Sequence, residues 1–84
     1  MFAAQEIENR IMNHMGDAEV IVKDLTGGQD HYEVHIVSKS FESMGPLQRH
    51  RAVYALFSDV VGGALHALSL KTQTPAEVRG DSSS

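Results

Sequence analysis

Four of the five histidines in this chain of 84 residues lie inside or beside apolar stretches, at positions where they could do chemistry. They are His31, His35, His50 and His66. Neutral imidazole binds transition metals, and its pKa allows it to act as an acid or a base near neutral pH. The chain contains no cysteine, so no thiolate can bind a metal or attack a substrate. These histidines could bind a metal, transfer protons or contact nucleic acid. Alternatively, they occupy the polar side of ordinary helices and strands and have no chemical role.

The spacing of the histidines does not by itself define a metal site. His31 and His35 are four residues apart on a predicted strand, which separates them by about 13 Å at ~3.3 Å per residue. They cannot bind one ion together, and no helical His-x-x-x-His pair is visible. His31 and His66 could share a metal only if two strands bring their ends together. We expect His35 on the solvent face of its strand.

Patterns typical of catalysis are also missing. No serine lies in a Gly-x-Ser-x-Gly elbow, no paired carboxylates stand out, and the lone Gly27-Gly28 pair is weak evidence for a phosphate site. A chain this short leaves little room for a buried pocket. The sequence therefore predicts a protein that is not an enzyme.

A basic segment, Arg49-His50-Arg51, lies on a predicted helix. The two arginines are about 200° apart around the helix axis, so they do not share a face. One interpretation is a surface helix on which one arginine pairs with an acid. The other is a binding site for an acidic partner or a phosphate, and Lys71 and Lys39 would extend that site.

Composition favours one small folded domain. The length and the hydrophobic fraction of 42% suit a single core, expected to span residues 1–79, with a disordered tail at 80–84.

The net charge of −4 argues against a partner held mainly through phosphates. No apolar run approaches the length of a membrane helix, and the first ten residues have no basic segment typical of a secretory signal. The lack of disulfides fits a reducing compartment, so we expect a cytoplasmic protein.

The first half of the chain predicts a helix followed by a hairpin. Apolar residues at helical spacing mark a helix from Phe2 to about Met15. Two runs, 18–25 and 31–38, are rich in β-branched residues and flank the turn residues 26–30. The second run alternates, which predicts one face with Tyr32, Val34 and Ile36 and an opposite face with His31, Glu33 and His35.

The second half predicts a helix, a third strand and a final helical turn. A loop at 41–45 leads to a helix that starts near Pro46 and is stopped by Gly62 and Gly63. Residues 65–71 predict the third strand, and Thr74 to Glu77 fit a helix-capping box.

The resulting order is α-β-β-α-β with a short C-terminal helix. The hairpin strands pair antiparallel, and a helical crossover usually makes the next strand parallel to its neighbour. We therefore expect an α+β fold with a three-stranded mixed sheet, helices on one face, and the other face open.

Three ordered blocks of this sequence resemble the BolA-like family, over residues 6 to 78. They are "HYEVHIVSKSFE" at 31–42, Arg49-His50-Arg51 with Val53-Tyr54, and "LHALSLKT" at 65–72 with Thr74-Pro75. The resemblance implies a compact sheet similar to the second type of KH domain. The Gly-x-x-Gly clamp with which KH domains hold nucleic acid is absent from "SFESMGPLQ".

The resemblance implies a partner and a cofactor. BolA-like proteins pair with monothiol glutaredoxins and share with them a [2Fe–2S] cluster, held together with glutathione, in iron–sulfur cluster delivery or iron regulation. His66 matches the family's cluster ligand. Many members have a second ligand, cysteine or histidine, in the loop before the second strand. Here that loop, "TGGQD", has neither, so His31 directly after it is the candidate second ligand.

The resemblance also implies an alternative, because some members are described as DNA-binding regulators of transcription. In the adaptor hypothesis Arg49, His50, Arg51 and Lys71 contact a glutaredoxin or glutathione carboxylates. In the regulator hypothesis the same residues contact nucleic acid. The net charge favours the adaptor. The free chain is expected to be a monomer or a weak homodimer, without a membrane partner.

Overall fold

The computed structural model describes residues 2–63, 65 and 67–80 and shows an α+β domain with the predicted order of elements. The helices are α1 (Ala4–His14), α2 (Pro46–Tyr54) and α3 (Pro75–Arg79). The strands are β1 (Glu19–Asp24), β2 (His31–Val37) and β3 (Ala67–Gln73). No helix among the described residues is long and apolar enough to cross a membrane.

The sheet has the predicted mixed topology, with β2 in the centre. β1 pairs with β2 antiparallel, and β3 pairs with β2 parallel, so the strand order is β1-β2-β3. In the parallel register His31 lies across from Ala67, and Val37 lies across from Gln73. The N-terminal ends of β2 and β3 therefore lie side by side at one end of the sheet.

The predicted alternation of β2 is confirmed, and it divides the sheet into two faces. Tyr32, Val34 and Ile36 are buried on what we call the inner face, and the residues between them are exposed or half-buried on the outer face. The inner face packs against apolar residues of the helices and their connections, namely Ile7, Ile11, Phe41, Val53 and Phe57. The sheet is thus covered on the inner face, as expected.

Three boundaries in the second half of the chain were predicted wrongly. α2 ends at Tyr54 and passes into a 3₁₀ helix at Ala55–Phe57, and β3 spans Ala67–Gln73 rather than residues 65–71. β3 starts late because a tight turn precedes it, in which Gly62 has a φ of 92° and donates a hydrogen bond to the Leu65 carbonyl at 2.7 Å. This turn buries Leu65 before the strand can start.

The predicted loop after Phe41 is also different, because residues Lys39–Ser43 form a 3₁₀ helix. Its start is held by Asp17, whose carboxylate accepts hydrogen bonds from the Ser38 hydroxyl and the Lys39 N–H, both at 2.7 Å. The Ser38 hydroxyl in turn accepts from the Ser40 N–H. Lys39 lies 22 residues after Asp17, so no local sequence pattern predicts this helix.

These hydrogen bonds make the stability of the domain depend on pH. The Lys39 N–H and the Ser38 hydroxyl lower the pKa of Asp17 from its ordinary 3.8, and the bonds from Arg10 and Arg49 lower the pKa of Asp59 and Glu77. A carboxyl with a depressed folded pKa stabilises the fold above its unfolded pKa and loses that contribution as pH falls through the folded value. We expect the melting temperature to hold steady down to about pH 5 and to fall below pH ~4.

The Asp17→Asn variant isolates one of these groups. Asparagine keeps one acceptor oxygen but cannot accept both hydrogen bonds as a carboxylate does. The variant should melt below the wild type at pH 7, and the difference should shrink as Asp17 becomes protonated in the wild type. Thermal melts between pH 7 and pH 3 measure this. A difference that stays constant over that range would contradict the role given to the Asp17 charge.

Candidate functional site

His31, the candidate second ligand, lies at the N-terminal end of β2, where β3 also begins. Ala67 is its partner in the parallel register, and the Ala67 N–H donates a hydrogen bond of 3.1 Å to the Asp30 carbonyl. The His31 side chain is 40% exposed, and its Nδ1 lies 3.2 Å from Asp30 Oδ1. The starts of β2 and β3 thus meet, which is the condition under which His31 and a residue at the start of the third strand could act together.

His66, the first candidate ligand, lies outside the described residues. Its neighbours in the chain are described: Leu65 is fully buried, and Ala67 is the first residue of β3. Within residues 2–63, 65 and 67–80, no group of three or more histidine, aspartate or glutamate side chains could hold a metal ion. A metal centre that used His31 would therefore need ligands beyond the described part of the chain, and a partner molecule can supply them.

His35 is on the outer face, as predicted, in the middle of the central strand. Its Nε2 lies 2.6 Å from the Gln73 side-chain oxygen, and the ring is half-buried. Its neighbours in the register are Ile21 on β1 and Lys71 on β3. The site of His35 is thus separate from the end of the sheet where His31 lies.

Arg49 is buried inside the domain, and its side chain is only 10% exposed. The guanidinium donates to both carboxylate oxygens of Glu77, at 2.9 and 3.2 Å, and to the Met44 carbonyl at 3.0 Å. It also lies over the Phe41 ring, 5.7 Å from the centroid. The interpretation in which one arginine of the basic segment pairs with an acid is therefore correct, and that arginine joins α2 to α3.

The other residues of the predicted binding set lie on the surface or partly buried beneath it. Arg51 is exposed and His50 is half-buried on α2, so Arg49 and Arg51 lie on different faces as predicted. Leu47, which is 63% exposed, and Tyr54, which is 38% exposed, follow the same helical spacing as Arg51. Lys71 is exposed on the outer face of β3. A partner-binding role for Arg49, His50, Arg51 and Lys71 stays a prediction.

Tyr54 fixes this helix to the sheet. Its hydroxyl donates a hydrogen bond to the Leu68 carbonyl of β3. Arg49 approaches the same strand, with Nη1 at 3.5 Å from the Thr72 carbonyl. We call the exposed residues Leu47, Arg51 and Tyr54 the α2 stripe. The two hydrogen bonds attach the helix that carries this stripe to β3.

Sequence reasoning missed the second structural arginine, Arg10. Its guanidinium donates to both carboxylate oxygens of Asp59, at 2.7 and 3.2 Å, and to the Leu56 carbonyl at 3.0 Å. It also lies 5.1 Å from the centroid of the Phe2 ring. The partners are 46 and 49 residues away in the chain, so no local signal could have found them.

A small cleft lies at the opposite end of the sheet from His31. Its volume is about 230 Å³, and its lining residues are Asp17, Glu19, Val37, Lys39, Pro75 and Val78. β2 runs from His31 to Val37, so roughly 20 Å separates the cleft from His31 at ~3.3 Å per residue. The cleft is therefore not part of the candidate site.

The fold is a small α+β domain with a three-stranded mixed sheet, and His31 lies at the end of the sheet where β2 and β3 start. The family model described as "BolA-like protein" matches residues 2–77. The chain belongs to the BolA-like family, which is not a known enzyme family.

Curated relatives are similar over part of their length. The chain is 45% identical to human BolA-like protein 1 over 56 residues, which cover 67% of this chain and 41% of the relative. It is 42% identical to the chloroplastic protein BOLA1 of Arabidopsis thaliana over 71 residues, which cover 84% of this chain and 43% of the relative. The matched segment thus spans less than half of either relative.

Solved structures match over nearly whole chains. BolA1 from Arabidopsis thaliana aligns with a TM-score of 0.81 and 33% identity, covering 88% of this chain and 93% of that one. The BolA domain of SufE1 from the same plant aligns with a TM-score of 0.79 and 30% identity, covering 92% of this chain and 99% of that domain. These matches agree with the mixed sheet and three helices described above.

Proposed function

We propose that this chain is a non-enzymatic adaptor that pairs with a monothiol glutaredoxin and shares a [2Fe–2S] cluster with it, in iron–sulfur cluster delivery or iron regulation. The observation that carries the proposal is the register of β2 and β3. His31 lies across from Ala67, the residue that follows His66 in the sequence. In this member of the BolA-like family, His31 and the residue that follows His66 in the sequence are thus neighbours across two strands.

The ligand count supports a shared cluster rather than one held by this chain alone. A [2Fe–2S] cluster takes four protein or small-molecule ligands, usually thiolates. This chain has no cysteine and offers two nitrogen ligands, His66 and His31, so the others must come from the partner. A glutaredoxin cysteine and bound glutathione supply thiolates. Histidine ligands in place of thiolates raise the reduction potential of such a cluster.

The α2 stripe is the proposed contact surface for the glutaredoxin. Arg51 is an exposed cation between two partly exposed apolar side chains, Leu47 and Tyr54, a combination of residue types common in interfaces. Arg51 and His50 would contact acidic groups of the partner or of glutathione. Arg49 would act indirectly, because its bonds to Glu77 and Met44 hold the helix in place. We place this adaptor in the cytoplasm, since a protein without disulfides fits a reducing compartment.

Mixing the chain with a cluster-loaded monothiol glutaredoxin tests the proposal. We expect a 1:1 complex by size-exclusion chromatography with light scattering, and a visible absorption and circular dichroism spectrum that differs from that of the glutaredoxin alone. The apo glutaredoxin is the control for cluster-independent contact. An unchanged spectrum with no complex would contradict the proposal.

The alternative, a nucleic-acid-binding regulator, makes a different quantitative prediction. The net charge is −4, and Arg10 and Arg49 are paired with Asp59 and Glu77, so few cations are free to meet phosphates. If the chain makes two or three phosphate contacts, a plot of the logarithm of the binding constant against the logarithm of the salt concentration should have a slope of only roughly −2 to −3. We therefore expect weak duplex binding that is lost at physiological salt.

Fluorescence anisotropy with a labelled DNA duplex across a salt series measures this. An equal-length duplex of shuffled sequence is the control for selectivity. Tight and sequence-selective binding at physiological salt would favour the regulator over the adaptor.

A further inference from the structure

The free edge of the sheet at β1 is unpaired within the described residues, and its backbone groups are regularly arranged. The Leu25 N–H donates to the His31 carbonyl at 2.9 Å, so Leu25 and His31 form a hydrogen-bonded pair of the antiparallel ladder. Hydrogen-bonded and non-hydrogen-bonded pairs alternate along such a ladder. The odd-numbered residues of β1 therefore bond to β2, and the N–H and C=O groups of Val20 and Val22 point away from the sheet. Outward-pointing N–H and C=O groups on an edge strand can form hydrogen bonds with a strand of another molecule.

The side chains on this edge are self-complementary. On the outer face β1 presents Glu19, Ile21 and Lys23, all exposed, with Ile21 at 66%. The two opposite charges are placed symmetrically, two residues before and two residues after the isoleucine. Charged residues usually discourage edge pairing, but opposite charges at equal distances from a centre match each other when the strand meets an antiparallel copy of itself.

We propose that the chain forms a twofold homodimer in which β1 pairs antiparallel with β1 of a second copy, centred on Ile21. Val20 then lies opposite Val22 of the second copy, and their outward N–H and C=O groups form the hydrogen bonds. Ile21 lies opposite Ile21 in a non-hydrogen-bonded pair, where side chains come closest. Glu19 lies opposite Lys23 on both sides of the axis, so the two sheets join into one of six strands.

Other registers of the same two strands match less well. A shift of one residue places inward-pointing backbone groups opposite outward-pointing ones, and the ladder cannot form. A shift of two in one direction puts Glu19 opposite Leu25 and Ile21 opposite Lys23. A shift of two in the other direction puts Glu19 opposite Ile21. Only the register centred on Ile21 pairs both charges within the strand.

The dimer is independent of the adaptor function proposed above. β1 is at the opposite edge of the sheet from β3, the strand to which Tyr54 of the α2 stripe is bonded. A second copy on β1 therefore leaves the α2 stripe and the start of β3 accessible. Loss of the dimer and loss of glutaredoxin binding are separate results.

Sedimentation equilibrium with charge-reversal variants tests the dimer. An interface of two edge strands is small, so we expect a weak dimer with a dissociation constant at or below about 1 mM. Glu19→Lys alone and Lys23→Glu alone each turn both attractive pairs into repulsive ones and should weaken the dimer by roughly tenfold or more. An equimolar mixture of the two variants restores both pairs, and so does the double variant, so both should associate like the wild type.

Two controls keep the result interpretable. Lys23 also lies across from Glu33 on β2, so Lys23→Glu could disturb the fold, whereas Glu19 lies across from the uncharged Val37. Circular dichroism of each variant separates misfolding from loss of association, and Glu19→Lys gives the cleaner result. Concentration-dependent protection of the Val20 and Val22 amides in hydrogen exchange reports the pairing directly. A wild type that stays monomeric up to about 1 mM, or folded reversals that associate like the wild type, would overturn the proposal.

Discussion

Replacing Arg49 by alanine should lower the melting temperature of this domain by roughly 10 °C, although Arg49 belongs to the segment that the sequence marks as a binding site. The guanidinium bonds Glu77 and the Met44 carbonyl from a side chain that is 10% exposed. Hydrogen bonds to charged groups typically contribute about 1.5–3 kcal/mol, and alanine at this position leaves the Met44 carbonyl and the Glu77 carboxylate without the Arg49 donors. For a domain of this size, 1 kcal/mol corresponds to about 4–8 °C.

Arg51→Ala is the matched control, because Arg51 is two residues away on the same helix and exposed. A surface substitution of this kind usually changes the free energy of unfolding by less than about 0.5 kcal/mol. Its effect should instead be weaker binding to a glutaredoxin. Arg49→Lys should also lose stability, since an ammonium group cannot make the paired bonds to the carboxylate. Equal melting temperatures for Arg49→Ala and the wild type would contradict the structural role of Arg49.

Replacing His66 by alanine should have the largest effect on the shared cluster. We expect the variant to stay folded, because Leu65 and Leu68, which are buried on either side of this position in the sequence, are unchanged. It should still bind the glutaredoxin through the rest of the contact surface. The cluster should lose a nitrogen ligand, and its visible spectrum should shift towards that of the cluster-bound glutaredoxin homodimer.

The other histidines provide graded controls for this experiment. His31→Ala should give a smaller change of the same kind, because His31 is the candidate second ligand at the meeting strand ends. His35→Ala should give none, since its Nε2 is bonded to Gln73 and it lies four residues further along the strand. If His35→Ala changes the cluster spectrum as much as His66→Ala, the assignment of ligands is wrong.

The sequence predicted those features that depend on near neighbours. The alternation of Tyr32, Val34 and Ile36 gave the buried face of β2, and the Thr74 to Glu77 capping box is present, with the Thr74 hydroxyl accepting from the Glu77 N–H at 3.1 Å. Local propensity and periodicity carry such information because the interacting groups are at most a few residues apart.

Features that depend on distant contacts could not be predicted. The internal role of Arg49 depends on a carboxylate 28 residues later, and the 3₁₀ helix at Lys39–Ser43 depends on Asp17, 22 residues earlier than Lys39. The end of α2 was also missed, because apolar residues continue at helical spacing up to Val61 although the chain passes into a 3₁₀ helix after Tyr54. In the candidate site, the sequence proposed His31 as a ligand, but only the parallel register places it beside the start of β3.

The central claim is that this chain supplies a histidine nitrogen to a shared [2Fe–2S] cluster, and pulsed EPR of the reduced mixed complex tests it most directly. The chain would be prepared with ¹⁵N-histidine and paired with unlabelled glutaredoxin and glutathione. The account predicts strongly coupled nitrogen whose signal changes from ¹⁴N to ¹⁵N with this label, is reduced in His66→Ala, and is lost when His66 and His31 are both replaced by alanine. A spectrum without strong nitrogen coupling, or one that does not respond to the label, would contradict the claim.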